Sequence, residues 1–220
     1  MRYLTGCYCA DSCPPVLLLQ GVRVKDRLPV MLAVVWEGQT EEVKNPRGKN
    51  FGDRMMEWFD RQALPVCAKG DVTRCVSAAG RCLEKWMKHP RAEGTKERAG
   101  EPDSWSLLLG VGEMCLYAWK GRGEIHLLNL CFNHLNTRKL TCDTEEMQLQ
   151  FAKLEPDVGV LLGTRDFFAG LPKQQLKECL EVKTLERREQ IVKHVKEAVQ
   201  ETAVRGAKHA AAILAVTRED

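Results

Sequence analysis

The chain has 220 residues, 44% of them hydrophobic, and no Pro/Gly/Ser-rich linker splits it into comparable halves, so one domain over 1–220 with one sizeable core is expected. Lysine and arginine total 33 against 30 acids, an even spread with a net charge of +3, which argues against a nucleic-acid or membrane partner. The first nineteen residues lack a basic n-region with a long apolar core, and no stretch nears the ~20 apolar residues of a membrane span, so a cytoplasmic location is expected.

Ten cysteines suit free thiols in a reducing compartment. Cys67, Cys75, Cys82, Cys115, Cys131 and Cys179 each sit among apolar neighbours, where cysteine behaves as a small hydrophobe. The cluster Cys7-x-Cys9-x3-Cys13 is a weak zinc signal, because no second Cys or His pair stands at ligand spacing.

Two continuous apolar runs, Pro15 to Val22 and Pro29 to Trp36, read as strands joined by a turn at Lys25-Asp26-Arg27, the second ending at Glu37-Gly38-Gln39. A helix follows from Phe51 to Leu64, with Phe51, Met55, Trp58 and Phe59 on one face and Asn50 as cap; Pro65 is expected to end it. Asp71 is a good N-cap for a second helix to Lys88, whose face is Val72, Cys75, Val76, Ala79, Leu83, Trp86 and Met87. The charged stretch 89–103 has no apolar period and reads as a mobile surface loop.

Three strands come next, Trp105 to Val111, Met114 to Trp119 and Ile125 to Leu130, read as an antiparallel meander with a hairpin at Gly112-Glu113. The segment Asn133 to Asp157 shows no regular pattern. Val158 to Leu162 is a buried-looking strand running into the charged turn Gly163-Thr164-Arg165-Asp166, with a helix or turn beginning near Phe167. A short helix from Pro172 to Glu181, a longer one from Leu185 to Val204 stopped by Gly206, and a strand from Ala210 to Val216 complete the chain. Helix pairs and antiparallel strands in this order predict an α+β fold, a four-layer α-β-β-α sandwich of two antiparallel sheets flanked by helix pairs.

That order, with the residues at the strand ends, resembles the bacterial metal-dependent protein phosphatases of the protein phosphatase 2C family across residues 3 to 217. Val30-Met31-Leu32-Ala33-Val34-Val35-Trp36-Glu37-Gly38 looks like the family strand ending in Asp-Gly, where the aspartate bridges two metal ions and the glycine carbonyl helps hold one. Here the acid is Glu37. Tyr117-Ala118-Trp119-Lys120-Gly121-Arg122-Gly123 is similar to the segment carrying Gly-Asp-Ser-Arg, with only Gly121 in register. Leu161-Leu162-Gly163-Thr164-Arg165-Asp166 looks like the strand ending in Ser-Asp-Gly, with Arg165 at the metal aspartate. Lys208-His209 stands where the closing Asp-Asn/Asp pair is found. The first acidic motif falls at Asp11 or, by spacing, at Pro15.

The family reaction uses two Mn or Mg ions in an oxygen cage. At ~4 Å and an effective dielectric of ~20, one guanidinium repels a divalent ion by roughly 8 kcal/mol. With Arg165 and Lys208 in place of acids, Glu37 alone is not expected to hold two metals, and no cofactor is expected. A one-residue slip making Asp166 the ligand would point it away from the site and would not rescue Lys208. The resemblance then implies a pseudophosphatase, a regulator or scaffold in Ser/Thr phosphorylation signalling whose partner is a protein such as a phosphoprotein or a Ser/Thr kinase. The alternatives are a reader holding a phosphorylated side chain with Arg165, Lys208, His209 and Arg122 in a cationic pocket without a neutralising Glu37, and an active Mn/Mg-dependent phosphatase with divergent ligands. One geometric expectation separates them: if protein cations have replaced the metals, Glu37 forms a buried ion pair with Arg165 or Lys208. Among the scattered histidines 89, 126, 134, 194 and 209 none pairs with a Cys or Ser as a nucleophile and base, and Trp36 and Trp119 read first as core.

Overall fold

The computed structural model describes residues 1–10, 15–23, 27–37, 50–88, 102–129, 137–140, 144–172 and 187–219. Ten strands form two antiparallel five-stranded sheets. One carries β2 (Val16–Arg23), β3 (Arg27–Glu37), β4 (Ser104–Val111), β5 (Met114–Gly121) and β8 (Thr144–Lys153), in the order β2-β3-β4-β5-β8. The other carries β1 (Arg2–Cys9), β6 (Glu124–Asn129), β7 (Thr137–Leu140), β9 (Val158–Gly163) and β10 (Ala211–Arg218), in the order β1-β10-β9-β6-β7.

The side-chain period of two divides each central strand between two apolar layers. In β3, Val30, Leu32, Val34 and Trp36 meet Phe51, Met55, Trp58, Ala79 and Leu83 of the helices on one side. Met31, Ala33 and Val35 turn to the other side and pack with Val160, Leu162, Ile213 and Ala215 of the second sheet. A third cluster joins the far face of that sheet, Leu161, Ala212, Leu214 and Val216, to Phe167, Ile191, Val195 and Val199 of helices. Three apolar interfaces between four layers make the α-β-β-α sandwich.

The helices are α1 (Phe51–Trp58), α2 (Leu64–Cys67), α3 (Val72–Lys88), α4 (Arg165–Gly170) and α5 (Arg188–Val204). Asn50 caps α1 in a reciprocal box with Asp53. Asp71 accepts from the Arg74 amide at the start of α3. Pro65 does not end the first helical run as expected. A π-helical segment at Phe59–Ala63 widens the coil, the Leu64 amide reaches back to the Phe59 carbonyl, and the chain stays helical through Pro65 to Cys67.

Two other expectations change, and two more fall largely outside the described residues. β1, β7 and β8 form where no strand was predicted. The meander stops after two strands, because β6 pairs with β7 and β9 in the other sheet instead of with β5. The loop expected at 89–103 lies, up to residue 101, outside the described residues, as does the helix expected from Pro172 to Glu181 beyond Pro172. Among the described residues no helix is long and apolar enough to cross a membrane.

Candidate functional site

Glu37 ends β3 on the face turned toward the second sheet, in line with Val35 and Ala33. Its cross-strand partner is Ser104 of β4, and Val35 faces Ser106. Two serines at alternate positions thus give the otherwise apolar β4 a polar edge between the sheets. The Ser104 hydroxyl donates to Glu37 Oε2 at 3.4 Å. Ser106 is 1% exposed, and its Oγ has no hydrogen-bond partner among the described residues.

The second sheet supplies the start of α4. Thr164, buried at the end of β9, is its N-cap: Oγ1 accepts from the Phe167 amide at 3.3 Å and from the Ala211 amide of β10 at 3.1 Å. Across the sheet-to-sheet gap the Glu37 carboxylate receives the backbone amides of Arg165 and Asp166. Burial pushes the Glu37 carboxyl above the usual carboxylate range, reinforced by the Asp166 charge, while the two amides and the Ser104 hydroxyl pull it back.

Arg122 enters through a turn built by two glycines. Gly121 has φ 62°, and a Cβ there would lie 2.3 Å from the Asp103 carbonyl oxygen; at Gly123 it would lie 2.1 Å from that of Trp105. Only glycine lets this turn rest on the backbone of β4, and the contact swings the chain across to β6. Arg122, Glu37, Ser104, Ser106, Thr164 and Arg165 line one shallow cleft that has room for about one water molecule.

Of the residues singled out by sequence, Glu37, Arg165 and Arg122 meet in this cleft. Asp166 turns instead to the bend before β10, where its Oδ2 accepts from the His209 amide at 3.2 Å. Lys208 and His209 are exposed and do not line the cleft. Gly38, Asp11 and Cys13 lie outside the described residues, as do Cys131, Cys179, His89 and His134. The expected ion pair of Glu37 with Arg165 or Lys208 is absent among the described residues: Glu37 meets Arg165 through the main chain, because the N-terminus of α4 presents amides where an ion pair would need the guanidinium.

Trp36 packs on the helix side, its ring centroid 5.9 Å from that of Phe51, and Trp119 sits in the layer between the sheets, so both are core residues. His126 is buried under α4, with Nε2 3.1 Å from Glu124 Oε2 and its ring stacked on Phe168. The sequence reading missed Ser104, Ser106 and Thr164. Serines at alternate positions opening an apolar strand, and a threonine before a helix with Asp in its first turn, were the available signals. Among the described residues no group of three or more His, Cys, Asp or Glu is arranged to hold a metal ion.

The fold is that of bacterial protein phosphatase 2C-type serine phosphatases. A bacterial serine phosphatase superposes with a TM-score of 0.60 at 10% identity, over 99% of this chain and 99% of the other. The serine/threonine phosphatase of S. agalactiae gives 0.58 at 11%, over 99% of this chain and 100% of that one. PppA of Pseudomonas aeruginosa, described as a key regulatory component of T6SS, gives 0.54 at 14%, over 98% of each. No family model and no curated protein matches the sequence.

Proposed function

We propose that this chain is a pseudophosphatase: a single protein phosphatase 2C-like domain over 1–220, without a competent two-metal site, that acts in the cytoplasm as a regulator or scaffold in Ser/Thr phosphorylation signalling through a protein partner. The observation that carries the reading is Glu37. The one acid that the resemblance places among the metal-bridging positions is engaged by the amides of Arg165 and Asp166 and by Ser104.

The remaining donors do not fit two hard divalent cations. Arg165 and Lys208 stand at two positions where the resemblance calls for metal aspartates. Asp166, the one-residue-slipped ligand, faces the His209 amide. Arg165 and Arg122 line the cleft beside a Glu37 that is already hydrogen-bonded, a lining that disfavours Mn or Mg.

Isothermal titration with Mn and Mg, with hydrolysis of a generic aryl phosphate followed in the same samples, tests the reading. The expected result is neither two-ion binding nor turnover. Tight binding of two ions with metal-dependent hydrolysis would make the chain an active phosphatase with divergent ligands.

A further inference from the structure

We propose that the chain pairs with a second copy of itself along the outer edge of β8, antiparallel about a twofold axis at Leu149, so that the two β2-β3-β4-β5-β8 sheets join into one. Among the described residues β8 pairs with β5 and with no other strand.

The register follows from the main chain. The Leu154 amide donates to the Glu113 carbonyl at 2.7 Å, one step beyond the pair of Met114 with Lys153. Main-chain groups alternate in direction along an antiparallel pair, so Gln148, Gln150 and Ala152 turn theirs to β5, while Leu149, Phe151 and Lys153 turn theirs outward. Those odd-numbered side chains lie on the face where Met147 and Leu149 pack against the helix-side core. With Leu149 set opposite Leu149 of the second copy, Met147 comes opposite Phe151 and Glu145 level with Lys153, each twice by symmetry. The register shift opposite Trp119 and Gly121 bends β8 near its start. Glu145 and Glu146 are both exposed there, so an acid meets Lys153 whichever way the bend turns.

Charge is what selects a second copy as the occupant. Antiparallel self-pairing lays opposite ends of a strand together, and β8 has two acids at one end and a lysine at the other. The other described edge strands, β1, β2 and β7, carry basic residues and no acid, so a copy of any of them meets no counter-charge on itself. Phe151 supplies the apolar part. Its ring lies so close under α3 that a Cβ on Gly80 would come within 2.8 Å of it, yet the residue stays 44% exposed. The thioether of the opposing Met147 covers such a ring well. Lys153 sits 3.2 Å from Glu113 in the single chain, an exposed ion pair whose loss costs little.

Sedimentation velocity of the full chain from about 1 to about 300 μM tests the proposal, with a reversible dimer dissociating in the range of about 10–100 μM expected from so small an interface. The double variant Glu145→Lys with Glu146→Lys makes the edge wholly basic, and Lys153→Glu makes it wholly acidic; all three positions are exposed. Each variant by itself should dissociate at least about tenfold more readily, and an equal mixture of the two should dimerise at least as well as the wild type. In the wild type, hydrogen exchange at the Leu149 and Phe151 amides should slow as concentration rises, while the Gln148 and Gln150 amides, already bonded to β5, stay unchanged.

A monomer at every concentration overturns the proposal. So does a dimer that both variants leave intact, a mixture that stays monomeric, or growth beyond two copies, since a twofold strand pair is closed. Concentration-independent exchange at Leu149 and Phe151 in a chain that does dimerise would place the interface elsewhere and overturn it as well.

Discussion

Replacing Glu37 tests the site by stability. The carboxylate accepts two main-chain amides of α4, so Glu37→Ala leaves both without their acceptor and removes the Ser104 partner as well. Unmet hydrogen-bonding groups of this kind cost about 1–3 kcal/mol. At about 2–4 °C per kcal/mol for a chain of this size, the melting temperature should fall by roughly 2–12 °C.

Glu37→Gln behaves differently. It keeps an oxygen for the amides and relieves the burial that raises the carboxyl's pKa. A carboxyl with a raised folded pKa holds more protons folded than unfolded between the two pKa values. Stability therefore declines as pH rises from the unfolded value of ~4.3 through the folded one, and is level above it. The wild type should show this decline and Glu37→Gln should lack it, so the glutamine variant should gain on the wild type between pH 4 and pH 7. Thermal melts of the three proteins by circular dichroism at pH 4.5, 6 and 7.5 read both effects. Equal losses in Ala and Gln at pH 7.5 would refute the amide-acceptor role, and parallel pH profiles in wild type and Gln would refute the burial argument.

Gly123→Ala drives a Cβ to within 2.1 Å of the Trp105 carbonyl oxygen and should cost about 1–3 kcal/mol in urea unfolding, with Gly121→Ala also harmful at its φ of 62°. Tyr3→Phe removes the hydroxyl that donates to the Gly112 carbonyl across the sheets while keeping the ring; a loss of about 1–2 kcal/mol in the same assay is expected. Thr164→Val keeps the shape but deprives the Phe167 and Ala211 amides of their acceptor. It should raise hydrogen exchange at those two amides ahead of the strand cores, with a global cost near ~1–2 kcal/mol.

What sequence could show was set by the range of each interaction. The apolar runs Val30 to Trp36 and Val158 to Leu162 are strands because burial on both faces leaves no other use for them, and β3 and β9 lie there. β1, Arg-Tyr-Leu-Thr-Gly-Cys-Tyr-Cys, lies at a sheet edge and mixes polar and apolar residues, so it has no run to recognise. β8 is also a sheet edge, but Met147-Gln148-Leu149-Gln150-Phe151 alternates strictly, with Met147 and Leu149 against the helix-side core, so this strand was legible and was passed over. The passage of β6 into the second sheet depends on Gly121 and Gly123 resting on β4, a contact with a strand that begins 17 residues earlier than Gly121. In the site, the order of motifs raised the question whether residues 37, 165 and 208 converge; 37 and 165 meet, 208 does not line the cleft, and the choice of main-chain amide over guanidinium was not foreseen. That choice is made by how Thr164 orients the first turn of α4, which no spacing encodes.

Tyr3 and Glu37 bind the two sheets at opposite ends of β4, one at Gly112 and the other beside Ser104. The apolar layer between them is non-directional and resists sliding poorly, so these two bonds set the alignment of one sheet on the other. Eight residues of strand place the anchors about 26 Å apart. With the Glu37 end released, Tyr3 becomes a pivot and β4 a lever: each degree of splay moves the far end by roughly 0.5 Å over that length. Whatever competes for the α4 amides therefore works at the long end of the lever, where a small rotation of one sheet gives the largest opening.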